Sequence, residues 1–149
     1  MKPCLLRWSL TFSLLILCGV SFTSQVFALP QESKIVKGDV TFDRSQENIL
    51  NITSASNKSI IQYSSFNIAP NEIVNFSLPN IKSFSLNRII DPNASSILGT
   101  LTANGNLILV NKNGFLFGPR AQVNAGGLIA STKDISDTNF LNGLYHFQN

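Results

Sequence analysis

From Ile35 onward the apolar residues come in short bursts, and Asn, Gly, Ser and Pro interrupt them before any helix-length pattern can develop. The bursts are Val40-Phe42, Ile49-Ile52, Ile60-Tyr63, Ile73-Phe76, Phe84-Ile90, Ile97-Leu101, Leu107-Val110, Phe115-Phe117, Val123 and Leu128-Ala130. No stretch holds a 3.6-residue period over three turns, whereas Ile97-Gly99-Leu101, Leu107-Leu109 and Phe115-Phe117 alternate with a period of two. Between Ser96 and Thr132 the turns are Ala103-Asn104-Gly105-Asn106, Asn111-Lys112-Asn113-Gly114, Gly118-Pro119-Arg120 and Asn124-Ala125-Gly126-Gly127. Asn and Gly supply the positive-φ positions that tight turns need. The chain is therefore expected to be all-β.

Two architectures fit this punctuation. Asn-Gly links usually close β-hairpins, which would give a meander folded into a sandwich or barrel. The other is a parallel β-helix, in which short strands wind round one axis and aligned Ile, Leu, Val and Phe fill the interior. Very short strands, tight spacing, 17 Asn and sparse charge favour the second, with only Lys112 and Arg120 charged between Ser95 and Thr132. Asn side chains stacked at equivalent turns can hydrogen-bond into ladders.

The N-terminus is laid out for export. Met1-Lys2-Pro3-Cys4-Leu5-Leu6-Arg7 is cationic, the run from Trp8 to Val20 is apolar, and Val26 and Ala28 occupy the two small-residue positions of a cleavage site before Leu29-Pro30. Residues 1–28 are expected to be a cleaved signal peptide. A lipidated Cys18 is the rival reading, but the preceding Leu17 is bulky where a lipoprotein signal takes a small residue. The apolar run falls short of the about 20 residues of a bilayer span. Cys4 and Cys18 both lie within the leader, so the exported chain has no disulfide and no Cys-ligated metal. That suits a chain that must stay unfolded in an oxidising compartment before crossing a second membrane.

Losing Lys2 and Arg7 leaves nine Lys and Arg against eight Asp and Glu, without a basic cluster for nucleic acid or anionic lipid. Enzyme chemistry is poorly supported. His146 stands alone; Asp39, Asp43 and Glu47 recur every four residues but flank a strand-like Val40-Thr41-Phe42; and no Asp or Glu occurs between Ser95 and Lys133. No catalytic residue, cofactor or metal is expected. The Asn-X-Ser/Thr tripeptides at Asn51, Asn57, Asn75 and Asn93 follow from the Asn, Ser and Thr content. Phe66, Phe76, Phe115 and Phe117 are expected in the core.

An ordered set of segments carries a resemblance. Ile61-Gln62-Tyr63-Ser64-Ser65-Phe66-Asn67-Ile68, Val74-Asn75-Phe76, Leu86-Asn87-Arg88-Ile89 and Ser96-Ile97-Leu98-Gly99-Thr100-Leu101 come first. Asn104-Gly105, the run Leu107 to Gly118 and the run Val123 to Thr132 follow. Together they resemble the N-terminal secretion domain of filamentous haemagglutinin-like exoproteins, in particular the high-molecular-weight adhesin branch, from about Gly38 to Phe147. The usual Asn-Pro-Asn-Gly is Asn111-Lys112-Asn113-Gly114 here, so the Pro that pre-sets φ is missing. Tyr63 stands where a Trp is common and keeps an aromatic with a hydroxyl.

The resemblance implies a right-handed parallel β-helix with antiparallel N-terminal capping strands over residues 29–149. It also implies a role in two-partner secretion. There the domain is recognised in an extended state by an outer-membrane barrel transporter with periplasmic receptor domains, and folding outside a Gram-negative cell helps draw the chain through. A downstream passenger would make any host-surface or glycan contact. A self-contained exported β-domain binding a glycan or host surface is the alternative, and a carbohydrate-active solenoid the third. The chain ends at Asn149, soon after the region of resemblance, which leaves a fragment, a truncated gene product and a complete small protein all open. The resemblance makes Asn87 and Arg88 candidates for a recognition or folding element, against a strand-end Arg bonding a neighbouring carbonyl. Asn111, Asn113 and Gly114 divide likewise between transporter contact and a structural turn.

Overall fold

The computed structural model describes residues 28–149. All of the expected leader except Ala28, including both cysteines, lies outside the described residues.

Twelve strands and one short helix follow in order: β1 (Lys34–Lys37), β2 (Val40–Gln46), β3 (Ile49–Ser54), β4 (Lys58–Tyr63), β5 (Ile73–Ser77), β6 (Phe84–Ile89), β7 (Ser95–Ile97), β8 (Thr100–Ala103), β9 (Asn106–Val110), β10 (Phe115–Phe117), β11 (Gln122–Asn124), β12 (Gly127–Ser131) and α1 (Asp137–Leu141). They form three sheets: β1-β4-β6-β9-β12, β11-β8-β5-β3-β2 and β7-β10. The stacked strands β3, β5, β8 and β11 are parallel, as are β4, β6, β9 and β12. A parallel bridge from Ile68 to Ile97 extends the third side back to the first coil. The chain is thus a parallel β-helix of four coils. The antiparallel strands are β1 on β4 and β2 on β3, and they close the N-terminal end.

Period-2 alternation along each strand sends one row of side chains inward. Leu50, Ile52, Ile61, Tyr63, Phe66, Ile68, Val74, Phe76, Ile89, Ile97, Leu101, Leu107 and Leu109 fill the interior. A polar ladder runs along strands of the second sheet and not at the turns expected for it: Asn75 Nδ2 donates to Asn51 Oδ1 at 2.9 Å and Thr102 Oγ1 to Asn75 Oδ1 at 2.5 Å, while the turns before β4 and β6 share one rung, Asn80 Nδ2 to Asn57 Oδ1 at 2.9 Å. Asn51, Asn75 and Thr102 are in register across β3, β5 and β8.

Several sequence expectations need correction. The Asn-Gly links do not make hairpins: Asn104-Gly105 carries the chain from β8 to β9, and Asn113-Gly114 from β9 to β10, between different sheets each time. The apparent alternation Ile97-Gly99-Leu101 spans a corner. At Gly99 a Cβ would meet the Ala69 carbonyl oxygen at 2.1 Å and the Glu72 carbonyl oxygen at 2.4 Å, so only glycine lets these coils stack. Phe66 and Phe76 are buried, but Phe115 is only half-buried and Phe117 is 40% exposed. Phe117 lies in register over buried Ile97, in the last rung of its side, where no further coil covers it.

A second apolar cluster lies outside the β-helix. Ile60, Leu86 and Ile108 align across β4, β6 and β9 on the outer face of the first sheet. The segment after β12 covers them with Ile135 and Phe140, and Phe147 packs at the margin. Within it, the Ser136 hydroxyl accepts from the Asn139 N–H at 3.2 Å and so caps α1.

Candidate functional site

Asn87 and Arg88 are consecutive on β6 and therefore face opposite sides of the first sheet. Asn87 points inward, in register between Ile61 and Leu109, and is fully buried. Its Nδ2 donates to the carbonyls of Ser85 at 3.0 Å and Ile108 at 3.4 Å. Its Oδ1 accepts from the Tyr63 hydroxyl at 3.3 Å and the Ser85 hydroxyl at 3.4 Å, and Ser59 donates to Ser85 at 3.1 Å. Inside an apolar solenoid such a network holds only if its members are satisfied; among the described residues every buried side-chain polar atom has a partner. Burial pushes the Tyr63 hydroxyl far above the usual tyrosine range, partly opposed by the positive charge of Arg44.

Arg88 points outward and holds down the segment that carries α1. Its Nε donates to Asp134 at 2.8 Å, its Nη1 to Asp137 at 2.5 Å and its Nη2 to the Ile135 carbonyl. Burial works against the guanidinium charge, but the hydrogen bonds and charges of the two aspartates outweigh it, and the net shift is upward. Lys58 acts at the other end of α1, donating to the carbonyls of Phe140 at 3.1 Å and Leu141 at 2.7 Å, where the helix dipole favours a cation.

Asn111, Asn113 and Gly114 form one turn between β9 and β10. Asn111 is fully buried. Its Nδ2 donates to the Asn93 carbonyl and the Ser95 hydroxyl, both at 3.0 Å. Its Oδ1 accepts from the Asn113 N–H at 2.9 Å, and its carbonyl accepts from the Gly114 N–H at 2.8 Å. Asn113 is exposed, with Nδ2 donating to the Asp91 carbonyl at 2.7 Å. Gly114 has φ +91°, a left-handed conformation that glycine adopts without strain. Lys112 occupies the second turn position in place of proline, and the turn closes around it.

Asn87 and Asn111 thus belong to the interior of the coils, Arg88 to a clamp outside them, and Asn113 and Gly114 to a corner. Sequence reasoning missed Asp134, Asp137 and Lys58, the clamp partners. Ser136-Asp137-Thr138-Asn139 before Phe140-Leu141 is a helix-start signal that could have revealed α1. Nothing local announces that Arg88 reaches residues 46 and 49 positions away. His146 and the Asp39, Asp43 and Glu47 set are exposed and dispersed. Among the described residues no group of three or more His, Cys, Asp or Glu is placed to hold a metal, and no helix is long and apolar enough to cross a membrane.

Comparison with known proteins agrees with this architecture. The TPS secretion domain family matches residues 27–149. The chain is 36% identical over 137 residues to a heme/hemopexin-binding protein of Haemophilus influenzae, covering 91% of this chain and 15% of the relative. A heme/hemopexin-binding protein of strain Rd is 37% identical over 127 residues, 83% of this chain and 14% of that protein. Among solved structures, the HMW1 secretion domain from Haemophilus influenzae superposes with a TM-score of 0.72 at 34% identity, over 76% of this chain and 30% of that one. The chain therefore spans about one seventh of the curated relatives it matches.

Proposed function

The chain belongs to the TPS secretion domain family of two-partner secreted exoproteins, and from that premise we propose that it is recognised while extended by an outer-membrane barrel transporter and then nucleates β-helix folding outside the cell. The observation that carries this reading is the asymmetry of the two ends. At the first coil the stacking direction is broken by antiparallel β1 and β2, whereas at the other end β10, β11 and β12 continue the parallel stacking and leave three parallel edges unpaired. An antiparallel cap at the start and open parallel edges at the finish suit a template on which later coils add in one direction. Burial of Asn87 and Asn111 supports recognition before folding, because a transporter could reach those side chains only in an extended chain. An extended backbone can add strands to a receptor's sheet edge without a charged patch.

In this reading the leader sends the chain to the periplasm and is cleaved after Ala28, and the transporter delivers the domain to the medium or cell surface of a Gram-negative bacterium. Adhesive, glycan-directed or haem- and hemopexin-directed binding would belong to a passenger carried in the rest of such an exoprotein. The domain needs no catalytic residue, metal or cofactor for this role. The test is export in a Gram-negative host with and without a cognate-type transporter. Expected is transporter-dependent appearance in the medium, reduced by Asn111→Ala and Arg88→Ala. Equal release without the transporter, or periplasmic retention with it, would refute the reading and favour an independent binding domain.

A further inference from the structure

Glu72 is a buried carboxylate that the secretion reading leaves unused. It lies in the loop before β5 and is 2% exposed. Its two oxygens accept from backbone N–H groups, Oε2 from Ala69 at 2.7 Å and Oε1 from Ala28 at 2.8 Å. Among the described residues the ion pairs are those of Arg88, and none reaches Glu72. A buried carboxylate is costly without a compensating charge.

The chain beside it is firmly placed. Leu29 is 4% exposed and packs in the main core. The Arg44 guanidinium donates to the Pro30 carbonyl, and Gln31 Nε2 donates to the Leu29 carbonyl at 2.6 Å. Gln31 also exchanges backbone bonds with the first coil, its N–H donating to Ser65 at 3.0 Å and its carbonyl accepting from Ser64 at 3.2 Å. Cleavage after Ala28 would remove one of the two N–H donors on Glu72. It would also create a primary ammonium on Leu29, three covalent bonds and roughly 3 Å further along the chain.

We propose that Glu72 is the binding site for the α-ammonium of the processed N-terminus, so that leader removal supplies the missing cation and completes the first coil. Leu29 is held by its buried side chain and by the bonds at Pro30 and Gln31, so little chain freedom remains to be lost when its ammonium meets the carboxylate. An uncleaved or extended chain offers a neutral amide at this place instead. The proposal rests on cleavage after Ala28 and goes beyond recognition by the transporter, so export can succeed whether or not it holds.

Three measurements on the released chain test it. Intact mass must place Leu29 first; a different first residue overturns the proposal. Native-state acetylation with an amine-reactive reagent, read by mass spectrometry, should modify the Leu29 α-amine at least about tenfold more slowly than in the urea-unfolded chain, because a charge-assisted bond of ordinary strength holds it. Equal rates overturn the proposal, and this measurement decides even if no variant folds. Adding two alanines before Leu29 should lower the folding equilibrium constant roughly tenfold to a hundredfold when Glu72 is present, and less than about twofold in the Glu72→Gln chain. The same loss in both chains also overturns it.

Discussion

Removing the Arg88 side chain should release the C-terminal segment from the β-helix without unwinding the coils. Arg88 is 18% exposed at the side chain, whereas Asp134 and Asp137 are 56% and 47% exposed. Half-exposed carboxylates are screened by water, so each pair contributes about 0.5 kcal/mol. The bond from Nη2 to the carbonyl of buried Ile135 contributes about 1.5 kcal/mol, as charged donors do. Arg88→Ala should therefore cost about 2.5 kcal/mol, which is roughly a 70-fold rise in the opening of the segment. Arg88→Lys keeps a charge but not the three-pointed fork, and should recover less than about half of the loss.

The assay is amide hydrogen exchange resolved along the chain, beside a urea unfolding curve. Protection should fall in the bonds that close the segment, Phe140 N–H to Ser136 and Asp134 N–H to Gln148. Protection in β6 and β9 should change by less. At 1 M salt the two carboxylate contacts are screened over about 3 Å while the carbonyl contact persists, so the gap between wild type and Arg88→Ala should narrow by about 1 kcal/mol. Unchanged protection at Phe140 and Asp134 in Arg88→Ala would refute the clamp. Burial of Ile135 and Phe140 against Ile60, Leu86 and Ile108 would then suffice to hold the segment.

Three further outcomes follow from the interior. Asn87→Ala removes the acceptor of Tyr63 and Ser85 and the donor to two carbonyls, and should cost about 3 kcal/mol in urea unfolding. Gly99→Ala drives a Cβ into the backbone oxygens of Ala69 and Glu72, which cannot swing aside, and should cost more than about 4 kcal/mol or prevent folding, checked by the circular dichroism of the purified chain. For Tyr63, the unfolded chain gives up its phenol proton near pH 10.0 while burial keeps it in the folded chain, so stability falls as pH rises above about 10. The expected slope is about 1.4 kcal/mol per pH unit, and Tyr63→Phe should flatten it relative to wild type in urea melts between pH 9 and 11.

Most strands were legible because each is a local apolar pattern bounded by turn formers; β1 was not among the bursts, and Ile97-Leu101 divides between β7 and β8 at the Gly99 corner. What the residues alone left open was their stacking. The step to the next coil is 24 residues from Ile49 to Ile73, 26 from Lys58 to Phe84, 27 from Ile73 to Thr100, 22 from Phe84 to Asn106 and 21 from Asn106 to Gly127. Loops absorb the differences while the strands keep register, so self-comparison at one fixed period finds little. Asn-Gly was a reliable turn signal but a poor guide to direction. The same dipeptide closes a hairpin or rounds a corner, and the Asn104 side chain settles the matter here by bonding both backbone groups of Leu78 in the coil below. Of the candidate residues, the Asn111 turn was readable in its own four residues. The roles of Asn87 and Arg88 depend on facing and on partners more than twenty and forty positions distant.

That division bears on how the same residues could serve export and folding. Asn111 makes three side-chain hydrogen bonds and Asn87 four once the coils close, and both are fully buried there. Contacts with a transporter would compete with the native contacts for the same atoms, so release from the transporter and closure of the coil would be one exchange of partners. Asn113 separates the two roles, because it is exposed in the folded turn and its side chain keeps a single bond, to Asp91. A substitution there costs the folded state about 1 kcal/mol, far less than at Asn87. An export defect at Asn113 as deep as that at Asn111 would then reflect the extended chain and not the stability of the coil it becomes.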